Sequence, residues 1–154
     1  MHVALLFSSI TGIVLSFILF FFNKGYKTAN RYLAGFFFFT SLFILSQYSG
    51  LYGQSEVLAA IFASAPTPFV FLIGPLCFLY IRSVLRDRSA LSKADAFHFL
   101  LFLLEFIGMI PYFFSSWESK LSVARVLLSD DWHVTHLSLN KIFVSPINSF
   151  LRPL

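Results

Sequence analysis

The titratable residues that sit inside apolar sequence are where this chain could do chemistry, and Glu105 comes first. It lies about nine residues into the run Ala96–Phe114, which only His98 and Glu105 break. An ionised carboxylate at the centre of a bilayer costs about 2.5 kcal/mol or more, so Glu105 must face the protein interior or be protonated. One reading makes it a polar contact that senses a ligand or switches between states. The other makes it an interhelical hydrogen bond to Ser41, Ser46 or Gln47, the common polar glue between membrane helices. His98 precedes Glu105 by seven residues, which places the two on one helix face. At 1.5 Å per residue they stand about 10 Å apart along the axis, too far to touch. His98 therefore reads as an interfacial residue whose ring reaches water, rather than as part of a proton relay.

The segment Asp130-Asp131-Trp132-His133-Val134-Thr135-His136 is the one cluster with metal-ligand residue types. His133 and His136 are three apart and share a helical face, and with Asp130 or Asp131 they could hold zinc. No known spacing signature is matched, and a solvated loop accounts for the same residues. Cys77 is the only cysteine, which excludes a disulfide within the chain and a multi-cysteine metal site. It reads as a small apolar packing residue. There is no Gly-rich phosphate loop, no nucleophile elbow and no HExxH pair. Neither enzymatic activity nor a cofactor is expected.

The elements that must position these residues are apolar helices. Hydrophobic residues make up 58% of the 154-residue chain and charged residues 12%, and 22 residues are Phe. Soluble domains carry about twice that charged share. Uncharged runs cover Val3–Phe22, Tyr32–Ser55 and Val57–Ile81, and Ala96–Phe114 is nearly so. A helix needs about 20 apolar residues to cross a bilayer core. The expected fold is all-α: a polytopic transmembrane helix bundle with spans at 3–22, 32–50, 68–85 and 96–114 and a partial fifth at 137–152. It forms one transmembrane domain over 1–154, with no soluble domain. Residues 56–63 are expected to form a short helical piece near the surface. Gly74-Pro75 is expected to kink the third helix from inside. Ser92 and Asp95 have capping-box spacing ahead of the fourth. Leu121, Val123, Val126, Leu127 and Leu128 alternate with Ser122, Arg125 and Ser129, which predicts an amphipathic helix on the membrane surface.

Charge sets the expected orientation. The loop after the first helix holds Lys24, Lys27 and Arg31, and the loop after the third holds Arg82, Arg86, Arg88 and Lys93, whereas the loop between the second and third has neither Lys nor Arg. Basic loops favour the cytoplasmic side, so the N-terminus is expected outside, in a bacterial inner membrane. The first run reads as a retained anchor, since no Lys or Arg precedes it and no small-residue cleavage site follows. The formal net charge of +4 reports topology rather than nucleic-acid binding. The expected partners are the lipid bilayer and other membrane helices, including further copies of this chain.

Residues 71–85, FLIGPLCFLYIRSVL, followed after a basic loop by Asp95-Ala96-Phe97-His98-Phe99-Leu100, resemble the membrane region of AraC-type bacterial transcriptional regulators. In that family the third helix reads Gly-Pro, an aromatic, then Tyr and Arg, and the fourth opens His-Phe-Leu; here these are Gly74, Pro75, Phe78, Tyr80, Arg82 and His98-Phe99-Leu100. Asn30-Arg31 and Leu33-Ala34 fit as well, so the resemblance covers roughly 30–106. Leu101 stands where the family usually has Pro, and the family's helix-turn-helix region is not among these residues. The resemblance implies a membrane sensor or anchor region of such a regulator, read from a fragment or a truncated frame, with no DNA binding by these residues. The sensing candidates are Glu105, Gly74, Pro75, His98, Tyr80 and Arg82. The alternative is a stand-alone small polytopic protein, a transport or assembly subunit in which Glu105 lines a polar path.

Overall fold

The computed structural model describes residues 2–22, 27–52, 55–63, 65–86 and 91–128. Every regular element among them is helical, with no strand. Helix α1 (His2–Phe21) is followed by α2 (Lys27–Leu51). A short α3 (Glu56–Leu58) runs into a π turn, Ala59–Ala63. A 3-10 stretch, Thr67–Leu72, then leads into α4 (Ile73–Arg86). A second 3-10 stretch, Lys93–Phe99, leads into α5 (Leu100–Phe114), and α6 (Trp117–Leu128) follows.

Among the described residues four stretches are long and apolar enough to cross a membrane: Val3–Phe21, Thr28–Gly50, Glu56–Leu85 and Lys93–Phe114. At most 25% of the most apolar window of any of them is buried inside the molecule. Phe7, Val14, Phe17 and Ile18 of α1 and Leu101, Leu103 and Ile107 of α5 point outward. Apolar area left in water forfeits about 25 cal/mol per Å², so this outer surface suits a hydrocarbon surrounding. The sequence bounds of the first, second and fourth stretches hold to within a few residues. The second begins earlier than expected, because Thr28, Asn30 and Arg31 continue the helix on its polar end.

Helix α2 is the hub, packing against α1, α4, α6 and both irregular turns of the third stretch. Its pairing with α1 is antiparallel and uses small residues. The Ser9 hydroxyl donates to the Ser41 carbonyl at 3.1 Å, and the Ser16 hydroxyl donates to the Ala34 carbonyl at 2.7 Å. Between them Gly12 lies so near α2 that a Cβ there would stand 2.0 Å from Ser41 Oγ. Small residues let apolar helices approach closely where water supplies no driving force, and dispersion and hydrogen bonds then hold them. Gly35, on another face of α2, admits Leu76 of α4, whose Cδ1 would be 3.2 Å from an added Cβ.

Three expectations about the third stretch and its neighbours are corrected. Gly74-Pro75 does not kink the middle of a helix. Pro75 is the third residue of α4, at the change from 3-10 to α winding, where the first turn has few backbone donors to lose. Pro68 likewise sits in the first turn of its 3-10 stretch. Residues 56–63 are not a separate surface piece, since they lead the third apolar stretch and bury Ala59 and Ala60. Helix α6 turns Val123 and Ala124 to protein: Ala124 packs with Ala59 and Ala60, and Val123 packs with Met109 and Tyr112 of α5. Arg125 Nε donates to Glu56 Oε2 at 2.8 Å along the edge of that contact. The partial fifth span at 137–152 lies outside the described residues.

A candidate sensing groove

Three of the residues singled out in the sequence meet in one groove. Gly74 and Pro75 open α4, His98 ends the second 3-10 stretch, and all three line an open groove of about 540 Å³. Val70, Phe71, Phe78 and Leu101 complete its wall. Winding explains the arrangement. Gly74 and Phe78 are four residues apart on α4, and His98 and Leu101 are three apart, so each pair presents one face. A Cβ at Gly74 would meet nothing within 4 Å, so the glycine leaves open space that any larger residue would occupy. His98 is exposed, and its ring centroid lies 4.6 Å from that of Phe78. The groove is thus apolar with one imidazole at its edge, and it can hold a small apolar molecule that offers a hydrogen-bonding group to His98.

An ion pair lies beside the groove, next to its wall residue Phe78. Arg82 Nη1 donates to Asp95 Oδ1, and both side chains are largely removed from solvent, at 13% and 5% exposure. The Arg82 guanidinium also lies 5.8 Å from the Phe78 ring centroid. Phe78 is therefore held between Arg82 and His98. The Ser92 backbone N–H donates to Asp95 Oδ2 at 2.5 Å, and the Ser92 side chain completes the expected capping box. Asp95 thereby caps one stretch while pairing with the end of the preceding one. Tyr32 of α2 is within electrostatic range of Arg82. Asp95 was legible only as a cap. Its pairing with Arg82 and the central position of Phe78 join separate elements, and no local spacing reveals them. Tyr80 is half-buried and does not line the groove.

Glu105 belongs to a different place. It is 3% exposed and shares a buried stripe on α5 with Met109 and Tyr112, spaced by four and three residues. The Tyr112 hydroxyl donates at 2.6 Å to the carbonyl of Ala60 in the π turn. The aromatic layer beside this stripe centres on Phe69, which stacks on Phe39 at 5.5 Å and contacts Phe102 and Phe106. The carboxyl thus faces inward, and it is not without a partner. Of the three partners considered from sequence, Ser41 turns its hydroxyl toward Gly12 of α1 and Gln47 is exposed. Ser46 is buried, as is Ser41. His98 and Glu105 do not share the helix face expected of them: one borders an open groove and the other is interior. The 3-10 winding through Phe99 breaks the seven-residue register of a continuous α-helix.

Cys77 is half-buried on α4. Among the described residues no group of three His, Cys, Asp or Glu is placed to hold a metal. His133, His136, Asp130 and Asp131 lie outside the described residues. Comparison with known protein families, with curated proteins and with solved structures finds no match to this chain.

Proposed function

We propose that the chain is an integral membrane helix bundle that senses a small apolar signal, serving as the sensor and anchor part of a membrane-bound transcriptional regulator of the AraC type. The membrane placement is supported by four long apolar helices whose outer faces carry exposed Phe, Leu, Ile and Val. The sensing role is carried by one observation: Gly74, Pro75 and His98 border a single open groove beside the Arg82–Asp95 pair. A ligand seated against Phe78 contacts the residue that lies between His98 and the Arg82 guanidinium. Its binding would bias the relative position of α4 and the fourth stretch, which a ligand can do only by differential contacts with two states. In this reading the basic residues between the third and fourth apolar stretches face the cytoplasm, toward any DNA-binding region carried by the same polypeptide.

The test has two parts. The first is the native product: an epitope tag at the chromosomal locus identifies the polypeptide that carries these residues, and a helix-turn-helix region joined to them is the expected result. The second is Gly74→Leu in that native protein, which fills the groove. Transcripts controlled by the regulator should shift while the membrane-associated amount stays constant. A native product without a DNA-binding region, together with solute flux in proteoliposomes that Glu105→Gln abolishes, would instead establish the transport reading.

A further inference from the structure

A second groove lies between α1 and α2, and nothing in the sensing role uses it. It measures about 340 Å³ and runs between the C-terminal end of α1 and the N-terminal part of α2. Phe17, Phe20 and Phe21 form one wall and Phe38 the other, over a floor at Ala34. The only polar group in that floor is the Ser16 hydroxyl, already committed to the Ala34 carbonyl at 2.7 Å. The groove therefore offers hydrocarbon contact and no hydrogen-bond donor along its length. Its rim differs. Arg31 is exposed there, with its guanidinium 5.9 Å from the Phe20 ring centroid. Among the described residues no carboxylate pairs with it. In sequence, the residues between Phe22 and Arg31 add Lys24 and Lys27 and no acid.

We infer that this groove binds one anionic phospholipid, with an acyl chain along Phe17, Phe20, Phe21 and Phe38 and the phosphate on Arg31. The inference rests on the membrane placement proposed above. Charge complementarity selects the occupant. An apolar trough alone would take any lipid tail, but a guanidinium at its rim without a carboxylate partner favours a phosphate that carries net negative charge. The ring of Phe20 beneath the guanidinium fixes the cation at the mouth of the trough.

The experiment is native mass spectrometry of the full chain released from nanodiscs of equal phosphatidylcholine and phosphatidylglycerol. One retained phosphatidylglycerol per chain is expected. Arg31→Gln should lower that retention about fivefold, the factor one cation near a charged membrane surface contributes. Arg31→Lys should keep most of it, and Lys27→Gln should change it less than twofold. Equal retention of the two lipids overturns the inference. So does an equal loss from Arg31→Gln and Lys27→Gln, which would mean a diffuse basic loop, and so does displacement by glycerophosphoglycerol, which lacks the acyl chains. Release of the wild-type chain from membranes by alkaline carbonate would instead sink the membrane placement itself.

Discussion

Arg82, near the end of α4, is paired with Asp95, the residue that caps the following 3-10 stretch. One carboxylate thus serves two elements, accepting from the Arg82 guanidinium with one oxygen and from the Ser92 N–H with the other. Removing Arg82 leaves a largely buried carboxylate with its cap alone, and removing Asp95 loses cap and pair together. Asp95→Ala should therefore lower the unfolding midpoint in detergent by more than Arg82→Gln does. The double variant should fall short of the sum, because the shared interaction can be lost only once. Strict additivity in that cycle would mean that the two side chains do not interact in solution. The Arg125–Glu56 pair serves as the contrast. Its side chains are 63% and 44% exposed, and Arg125→Gln should change stability by less than about 1 kcal/mol.

The α1–α2 contact gives a sharper steric expectation. Gly12→Ala puts a methyl 2.0 Å from Ser41 Oγ and 3.4 Å from Ser41 Cβ. The clash is with the hydroxyl, so the helices must separate or Ser41 must change rotamer. Overpacking of this kind costs about 1–3 kcal/mol. Ser41→Ala removes the offending atom and should restore most of the loss in the Gly12→Ala background. Failure of that rescue, measured by thermal unfolding of both variants, would place the tight contact elsewhere.

How much of this was legible in the sequence depends on the range of the interaction. The helices were, because an uncharged run of this length has few other solutions, and the Ser92–Asp95 cap was, because a capping box is local. The position of the break in the third stretch was not. Local sequence makes Pro75 a mid-helix kink, but Pro66 and Pro68 upstream set 3-10 winding, which delays the start of α4 to Ile73. Helix α6 shows a different limit. An amphipathic pattern states that one face is apolar and is silent on what covers it, and here the π turn and α5 cover Val123 and Ala124. The Gly74–His98 groove and the Arg82–Asp95 pair were each half visible, as residues without their partners.

A side chain from α5 fastens the π turn at Ala59–Ala63. The Tyr112 hydroxyl donates to the Ala60 carbonyl, and its ring is buried against Met109 and Val123. Tyr112→Phe keeps the ring and deletes the hydrogen bond, a loss of about 0.5–1.5 kcal/mol. Hydrogen–deuterium exchange should quicken at 59–63 and stay unchanged in α1. Unchanged protection at 59–63 would show that packing alone holds the turn.

Glu105 separates a polar contact from a charge. The carboxyl lies on the buried stripe with Met109 and Tyr112. If its role is to exchange hydrogen bonds inside the bundle, an amide of the same shape supplies most of them, and Glu105→Gln should cost less than about 1 kcal/mol. Glu105→Leu fills the volume but leaves the former partner buried and unmet, which costs about 1–3 kcal/mol. Thermal unfolding of the two variants in one detergent, across pH 5 to 8, checks this. The Gln variant should track the wild type, and the Leu variant should lie below both at every pH. A Gln variant as unstable as the Leu variant would mean that a negative charge, not a hydrogen-bonding group, is what the interior of this bundle requires at that position.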